Sequence, residues 1–339
     1  MTPTLRQLGE LGMIRRIHRA MEDGPGVETG IGDDAAVLSL PAGAVLLATT
    51  DLLIEDIHFR RVWSSPCDIG WKAMAVNLSD IAAMGGHPRW ALVAVALPAS
   101  TTVEAVDAFY AGMRAAAAPH GVVIVGGDTA ASPSGWMINV TLLGEHPGRP
   151  KLRSTAKAGD AVAITGTLGR SAAGLALLEL PEPKNHGLDA ATLRELTGAH
   201  LRPTPRVAEG RCLGEQPSVH AMMDCSDGLT TDLGHICRES GVGARIALDR
   251  LPLGSPVREA ARALGTDPLD WATGGGEDYE LLLTCEPSAV LSLAEVLRGA
   301  TDTRLTVIGA IEGPEATVTY VDARGEPVAR RAGYEHFHG

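Results

Sequence analysis

Acidic side chains recur beside glycine, serine or threonine at five places along this 339-residue chain. The five segments are GDDAA (32–36), TTD (49–51), NLSD (77–80), GGDT (126–129) and DCSDG (224–228). Magnesium prefers hard oxygen ligands and often binds through a few carboxylates together with substrate phosphates. Small neighbouring residues let backbone amides approach a phosphate closely. The recurrence therefore predicts a pocket that binds magnesium ions and a phosphate-bearing substrate.

Each acidic segment also has a simpler explanation when it is taken alone. An aspartate at the start of a helix is most often a cap, and Asp-Gly is most often a turn. Asp33 and Asp34 nevertheless place two carboxylates side by side without an adjacent basic residue. Cations between the acids and the phosphates would offset this repulsion, which favours Asp33 as a ligand. Asp34 could instead only orient the turn.

Hydrophobic periodicity and the positions of Gly and Pro predict the elements that carry these acids in the N-terminal half. A buried strand over 44–50 is predicted to end at Asp51, and a strand over 122–129 is predicted to run into a turn. Further strands and helices are predicted at 90–98, 136–145, 68–84 and 101–121. The order strand, helix, strand, helix, strand, strand indicates an α+β fold with helices over one face of a sheet.

The helix predicted over 68–84 allows the orientation of Asp80 to be worked out. Met74, Leu78 and Ile81 form one apolar face of this helix. At roughly 100° per residue, Asp80 points about 130° away from that face. Asp80 is therefore expected to reach a site rather than the core.

A polar segment rich in Pro and Gly over 146–160 predicts a domain junction. The half that follows contains predicted strands at 161–166, 219–224, 244–249 and 305–312, and a helix from 228 to about 239. The segment GGGEDYELLL (274–283) is a glycine turn with Glu277 and Asp278 that leads into an apolar strand. An acidic loop and a ligand site are both open interpretations of that turn.

Composition limits the class of protein. The length favours two domains, and 45% hydrophobic with 21% charged residues is typical of a globular chain. A net charge of −12 disfavours nucleic acid or an anionic membrane as the main partner. No stretch approaches the ~18 apolar residues of a membrane span, and no signal peptide is expected. The five cysteines form no CxxC pair, which predicts reduced thiols in a cytoplasmic protein.

Motifs of several common enzyme classes are absent from the sequence. The chain has no GxxxxGK[ST], no HExxH and no GxSxG, and no GxGxxG opens a helix after a strand.

His58 follows Asp51 by seven residues. A lone histidine is more often structural, but this one comes directly after an acidic segment.

With these segments in view, the chain resembles the thiamine-monophosphate kinase family of the aminoimidazole-ribonucleotide-synthetase-like superfamily of ATP-dependent enzymes. The motifs GIGDDAAV, TTDLLIEDIHF, AVNLSDIAAMGGHP, GGDT, SDGL and GGEDYEL occur in the family's order across nearly the whole chain. The segment GYEHF (333–337) is similar to the family's closing motif.

The resemblance implies an α+β / α/β architecture of two domains. Residues 1–147 would form an α+β domain that binds metal and nucleotide and pairs with a second copy in a dimer barrel. Residues 148–339 would form an α/β domain that closes over ATP and the substrate. The expected protein is a cytoplasmic homodimer that uses ATP and several Mg²⁺ ions to convert thiamine monophosphate into thiamine diphosphate.

The resemblance also implies three groups of contact residues, matched position by position. The metal ligands would be Asp33, Thr49, Thr50, Asp51, Asp80, Asp128, Asp224 and Asp227. The ATP contacts would be Gly127, Asp128, Arg153, Ser226 and Tyr110. The substrate contacts would be His58, Glu277 or Asp278, and Tyr334. No catalytic base is expected, because the acceptor is a phosphate with a second pKa near 6 and is largely a dianion at neutral pH.

Two other functions are compatible with the acidic segments. One is another ATP-dependent synthetase of the same superfamily, such as an aminoimidazole ribonucleotide or selenophosphate synthetase. Selenophosphate synthetases usually carry a reactive Cys or selenocysteine near the N-terminus, whereas the first cysteine here is Cys67. The other is a regulator that binds Mg²⁺ and nucleotide without turnover.

Overall fold

The computed structural model describes residues 3–21, 24–31, 35–180 and 187–330, together with Gly333. Contacts divide the chain into two compact units. The N-terminal unit comprises 1–81 and 86–149, and the C-terminal unit comprises 82–85 and 150–339. No helix in the described ranges is both long enough and apolar enough to cross a membrane.

The described part of the N-terminal unit combines short N-terminal helices with a four-stranded sheet and two long helices. Its helices are α1 (Leu5–Leu8), α2 (Glu10–Ala20), α3 (Pro66–Ala83, whose last two residues group with the other unit) and α4 (Val103–Ala117). Its strands are β1 (Val27–Thr29), β2 (Val37–Leu38), β3 (Val45–Ile54), β4 (His87–Leu97), β5 (Val123–Ala131) and β6 (Met137–His146). The pair β1-β2 stands apart from the sheet, whose order is β3-β6-β4-β5.

Local sequence signals fix the starts of the two long helices. Ser65 and Asp68 exchange hydrogen bonds across the first turn of α3, at 3.1 Å to the Asp68 carboxylate and 3.2 Å to the Ser65 hydroxyl. This reciprocal pair is a capping box. At α4, the Thr102 side chain accepts a hydrogen bond of 3.2 Å from the Ala105 amide, so both helices begin where a cap satisfies free amides.

The two faces of the four-stranded sheet differ. Asp51 lies opposite Val140 on β6, which is opposite Val93 on β4, and these two valines are buried. The helix α3 lies on this face, because its Asp80 contacts Thr49. On the other face Leu52 is 50% exposed. We call this second surface the open face, and it also carries Thr50 and Met137.

The described part of the C-terminal unit is a seven-stranded sheet with helices. The helices are α5 (Arg170–Leu178), α6 (Ala190–Leu201), α7 (Val207–Gly214), α8 (Leu229–Ser240), α9 (Ser255–Leu264), α10 (Pro268–Gly274) and α11 (Val290–Thr301). The strands are β7 (Ala161–Thr165), β8 (Val219–Asp224), β9 (Gly243–Ala247), β10 (Leu281–Cys285), β11 (Leu305–Glu312), β12 (Val318–Val321) and β13 (Pro327–Val328).

The sheet of the C-terminal unit has the order β13-β12-β9-β11-β7-β10-β8. The pair β9-β12 is parallel and the other neighbouring pairs are antiparallel. Every residue of β7 and β10 is buried. Because successive side chains of a strand point to opposite faces, both faces of the sheet are covered at its centre.

Two of the predicted strand ends are wrong. The strand β3 continues past Asp51 to Ile54, since Leu52 and Leu53 go on pairing with β6. It is also exposed at alternate positions rather than buried throughout. The strand predicted over 122–129 is present as β5 with GGDT inside it, but it continues two residues further to Ala131, because Ala130 and Ala131 also pair with β4. Asp51 and Asp128 are therefore side chains within strands of the sheet.

Candidate functional site

The first group of predicted ligands lies where β3 meets α3. The Thr49 hydroxyl donates a hydrogen bond to the Asp80 carboxylate. Met74, Leu78 and Ile81 are buried while Asp80 is half-buried, which confirms the predicted orientation of this helix. Asp51 lies two residues beyond Thr49 and therefore on the same face of β3. Two carboxylates and one hydroxyl thus share this corner of the N-terminal unit.

Thr50 points to the open face, as the alternation of side chains along a strand requires. Its Oγ1 lies 3.1 Å from Thr141 Oγ1 and accepts a hydrogen bond of 3.0 Å from the Asn139 side chain. Asn139 also donates to the Asp51 carbonyl at 3.1 Å. These contacts with β6 fix the position of Thr50.

Gly127 and Asp128 lie on β5, at the opposite edge of the sheet from β3. A Cβ at residue 127 would lie 1.9 Å from the Val93 carbonyl oxygen, so this position of the strand requires glycine. Asp128 is exposed, and its Oδ1 accepts a hydrogen bond of 2.8 Å from the Thr129 amide. Three strand spacings of about 4.8 Å separate the two edges by about 14 Å within one chain.

His58 follows β3 in a turn. Its Nδ1 accepts a hydrogen bond of 3.0 Å from the Ile54 amide, and its own amide donates to the Ile54 carbonyl at 2.9 Å. Because Nδ1 is an acceptor, the neutral ring carries its proton on Nε2. Lys72 donates to the His58 carbonyl at 3.2 Å, which ties the turn to α3.

Tyr110 lies in α4 and is buried, with its ring edge-on to Phe109 at 5.2 Å. Burial raises the pKa of its hydroxyl, which therefore stays protonated at neutral pH. Tyr110 lines a cavity of about 550 Å³ together with Arg15, Arg19 and Arg114. A cavity of this size and charge could take part of an anionic ligand.

In the C-terminal unit, an acidic loop connects β8 to α8. Asp224 ends β8 and is buried, and the Asp227 amide donates a hydrogen bond of 3.1 Å to the side chain of Asp232. Burial raises the pKa of Asp232 to about 8, and the charges of Asp224 and Asp227 act in the same direction. Three carboxylates therefore lie around one loop.

Asp232 is not among the residues that the sequence motifs indicated. It lies on α8 between Leu229 and Leu233, which are both buried. An acidic residue on the apolar stripe of a helix is a signal that could have identified it, because charged side chains are almost never buried without a partner.

These donors fit magnesium, which takes carboxylate and hydroxyl oxygens and keeps positions for phosphate and water. Burial is the main cause of the raised pKa of Asp232, and a divalent cation would offset the additional repulsion from Asp224 and Asp227. Within the described ranges, no three Asp, Glu, His or Cys side chains form a metal-binding cluster. Thr49 and Asp80 form one directly bonded pair of candidate ligand oxygens.

Two other predicted nucleotide contacts belong to the C-terminal unit. Ser226 is half-buried, and its carbonyl accepts a hydrogen bond of 2.7 Å from the Glu277 amide. This bond joins the acidic loop after β8 to the glycine turn before β10. Arg153 is exposed, and its carbonyl accepts a hydrogen bond of 2.9 Å from the Ser240 hydroxyl.

Glu277 and Asp278 have different environments although they are neighbours. The Asp278 carboxylate accepts hydrogen bonds from the Gly169 amide at 2.5 Å and the Ser171 amide at 3.0 Å, so it holds the start of α5. Burial raises its pKa to about 7, against the opposing effect of these two bonds. The Glu277 side chain is 26% exposed and contacts His200 at 3.1 Å.

Both acids line a cavity of about 130 Å³, together with Arg170 and Arg202. Arg206 donates two hydrogen bonds, of 2.6 and 2.7 Å, to the carboxylate of Glu280, which follows the glycine turn. This bidentate contact holds the end of the turn. Thr165 donates to the same carboxylate at 2.7 Å. Local sequence patterns do not indicate His200 or Arg206, because Glu277 and Glu280, which they contact, are more than 70 residues away in the chain.

Asp33, Asp34 and Tyr334 lie outside the described residues. Gly333 is described, and its amide donates a hydrogen bond of 2.9 Å to the Thr231 hydroxyl. A Cβ there would lie 1.8 Å from the Asp227 carbonyl oxygen. Residue 333 therefore packs directly against the acidic loop after β8.

Comparison with known proteins gives consistent matches along the chain. The family model described as AIR synthase related protein, N-terminal domain, matches residues 32–146, and the model of the C-terminal domain matches residues 157–322. Thiamine-monophosphate kinase of Mycobacterium tuberculosis is 42% identical over 287 residues, which cover 83% of this chain and 82% of that protein.

Two solved structures are similar over most of their length. The crystal structure of thiamine-monophosphate kinase from Stenotrophomonas maltophilia K279a has a TM-score of 0.80 and 36% identity, covering 93% of this chain and 95% of its own. The structure described as AaThiL complexed with AMPPCP and TMP has a TM-score of 0.77 and 34% identity, covering 99% and 100%.

The chain therefore belongs to the AIR synthase related family and, within it, to the thiamine-monophosphate kinases. This membership confirms the family and the two-domain fold class that the motif order predicted. The roles of the individual site residues stay predictions.

Proposed function

We propose that this chain transfers the γ-phosphoryl group of ATP to thiamine monophosphate, which yields thiamine diphosphate and ADP. The observation that carries the proposal is the match over the full length of a structure that holds AMPPCP, an ATP analogue, together with TMP. Kinase activity with ATP as co-substrate agrees with the relatives and with the predicted function.

The acceptor needs no general base. A phosphate monoester has a second pKa near 6, so its attacking oxygen is largely deprotonated at neutral pH. The barrier then lies in repulsion between two polyanions and in charge on the transferred group. Magnesium ions, when bound, would offset both effects. The described residues proposed to hold them are Thr49, Asp51, Asp80, Asp128, Asp224 and Asp227.

Glu277 is the better of the two proposed substrate carboxylates. Both oxygens of Asp278 accept hydrogen bonds from backbone amides at the start of α5, those of Gly169 and Ser171, so this carboxylate already has a structural role. Glu277 is partly exposed in the same cavity. A partly exposed carboxylate suits the permanently cationic thiazolium ring of thiamine. His58 would offer its Nε2–H to an anionic or carbonyl-like acceptor.

A homodimer is proposed on the geometry of the N-terminal sheet. Its edge strand β3 is ten residues long, and Leu46 and Leu52 are each 50% exposed. Long apolar edge strands are uncommon in monomers because they pair with other chains. The proposed ligands on β3 and those on β5 are about 14 Å apart in one chain. A twofold pairing of two such sheets would bring the β5 edge of one copy to the β3 edge of the other.

A cytoplasmic location is proposed from the cysteines. All five lie among the described residues as free thiols. Thiols stay reduced in the cytoplasm, whereas oxidising compartments favour disulfides.

The decisive experiment incubates the purified protein with ATP, Mg²⁺ and thiamine monophosphate and separates the products by chromatography. We expect ADP and thiamine diphosphate in equal amounts, and neither when Mg²⁺ is removed with EDTA. ATP hydrolysis without thiamine diphosphate would contradict the proposal. Thiamine and inorganic phosphate serve as control acceptors.

A further inference from the structure

Glu277 is one member of a closed ring of contacts that also includes Asp278, Ser171 and His200. Asp278 holds the first turn of α5 through the Gly169 and Ser171 amides. The Ser171 hydroxyl lies 3.0 Å from His200 Nδ1, and the same nitrogen lies 3.1 Å from Glu277 Oε2. Because Glu277 precedes Asp278 in the chain, each link of the ring restrains the next.

The two contacts of His200 determine where its proton lies. A bare Nδ1 would direct its lone pair at a carboxylate oxygen only 3.1 Å away, which is repulsive. Nδ1 must therefore carry hydrogen, shared between Glu277 Oε2 and Ser171 Oγ. A proton on this nitrogen makes the contact with the carboxylate a charge-assisted hydrogen bond, which is stronger than a neutral one.

The backbone of Glu277 also has to be held in place. Its φ is +66°, in the left-handed region of backbone conformation that residues other than glycine rarely adopt. Such conformations persist where the surrounding structure over-determines them, and they cluster at binding and catalytic sites. The Glu277 amide is fixed by the Ser226 carbonyl at 2.7 Å, which leaves the side-chain torsions to be fixed by another contact. His200, which is itself 5% exposed, supplies such a contact at 3.1 Å.

We propose that His200 is a positioning residue that fixes the Glu277 carboxylate for the cationic part of the substrate. This inference rests on the proposed function. Ser171 fixes His200 in turn, and Asp278 fixes Ser171. The residue acts on recognition of thiamine monophosphate and leaves the binding of ATP unaffected.

The test compares substitutions of His200 that keep or lose a donor at the Nδ1 position. The side-chain amide nitrogen of Asn falls near Nδ1 of a histidine, whereas that of Gln falls near Nε2. H200A and H200Q should raise the KM for thiamine monophosphate about tenfold, the usual effect of losing a hydrogen bond to a charged group. H200N should stay within about threefold of the wild type, and the KM for ATP should not change in any variant.

A matched control is available in the same unit. His220 Nδ1 also contacts a buried carboxylate, that of Asp160 at 2.9 Å, but it does not line the cavity of Glu277. H220A should leave the KM for thiamine monophosphate unchanged. Thermal unfolding of all variants checks that each one is folded.

A double-mutant cycle separates positioning from general support. Once Glu277 is replaced by Ala, H200A should have no further effect on the KM, because the carboxylate to be positioned is gone. Additive effects of E277A and H200A would overturn the inference, as would equal effects of H200N and H200Q. If H200A fails to fold, the contrast between H200N and H200Q still decides the matter.

Failure of the proposed function gives a different result. In that case the wild type itself forms no thiamine diphosphate. Wild-type activity with an unchanged KM in H200A would refute the role of His200 alone.

Discussion

Glu277, a proposed substrate contact, has a backbone conformation that costs free energy. Its φ of +66° is one that glycine adopts without strain. For other residues a left-handed conformation costs roughly 1–2 kcal/mol. The neighbouring Gly276 could not supply the carboxylate, so the turn retains the strain at the position where the side chain is needed.

We therefore expect E277G to be more stable than E277A by about 1 kcal/mol, although both variants lose the carboxylate. Urea unfolding of the two variants measures the difference in the free energy of unfolding. The matched pair is E295G and E295A, because Glu295 is an exposed residue within α11. There the order should reverse by a similar amount, since alanine is the better helix former. The same order at both positions would refute the strain at Glu277.

The titration of Asp232 makes the stability of the protein depend on pH. Its pKa is about 8 in the folded protein, against the ordinary value of 3.8 that applies to the unfolded chain. The folded protein therefore holds this proton more tightly than the unfolded chain does. The contribution of this group to stability is therefore greatest below pH 4 and is lost as the pH rises towards 8. The loss reaches up to about 1.4 kcal/mol per pH unit.

In the absence of divalent cations, the free energy of unfolding of the wild type should fall between pH 5 and pH 8 more steeply than that of D232N. The substituted amide keeps an oxygen for the Asp227 N–H but has no proton to lose. Urea unfolding at three or four pH values measures both slopes. D249N, at an exposed aspartate of the same unit, should follow the wild type. Parallel curves for the wild type and D232N would contradict the raised pKa.

At the scale of elements, the sequence predicted those features that local residues determine. The strand over 305–312 was predicted with its observed bounds, and α8 to within one residue at each end. Both are bounded by turn residues and have a clear apolar pattern. The ends of β3 and β5 were not predictable in this way, because pairing with β6 extends β3 beyond Asp51 to Ile54 and pairing with β4 extends β5 beyond Thr129 to Ala131.

The partners of the site residues were also beyond local prediction. The motif order identified Glu277, but His200 is reached only through the packing of α5 on α6. The raised pKa of Asp232 likewise comes from burial of one side of α8. Spacing in the sequence gives the type of ligand, whereas the tertiary fold decides which oxygens share a site.

The strand β5 gives a prediction at this scale. A Cβ at Gly127 would lie 1.9 Å from the Val93 carbonyl, a backbone atom that cannot move without breaking the pairing with β4. G127A should therefore lower the free energy of unfolding by roughly 1–3 kcal/mol. At Gly126 the nearest atom is the flexible end of Leu92 at 2.9 Å, so G126A should cost less than about 1 kcal/mol. Equal losses in the two variants would contradict the close approach, as measured by urea unfolding.

At the scale of the whole molecule, the described residues of the N-terminal unit bury one face of its sheet and leave the other partly exposed. Val93 and Val140 are buried on one face of the sheet, while Leu52 on the open face is 50% exposed. The proposed ligands divide between two edge strands of the same sheet, with Asp51 on β3 and Asp128 on β5. About 14 Å between these strands is too far for one magnesium ion, whose ligands lie about 2.1 Å away.

If the site is completed by a second copy, inactive variants should complement one another. D51N and D128N should each abolish turnover as homodimers, since each removes a proposed cation ligand from both sites. In a mixed dimer, both substitutions fall in one of the two sites and the other site is intact. Co-expression with two affinity tags isolates this species, and we expect about half of the wild-type activity per dimer. A site built within a single chain would leave one defect in each copy, and the mixed dimer would then be as inactive as its parents.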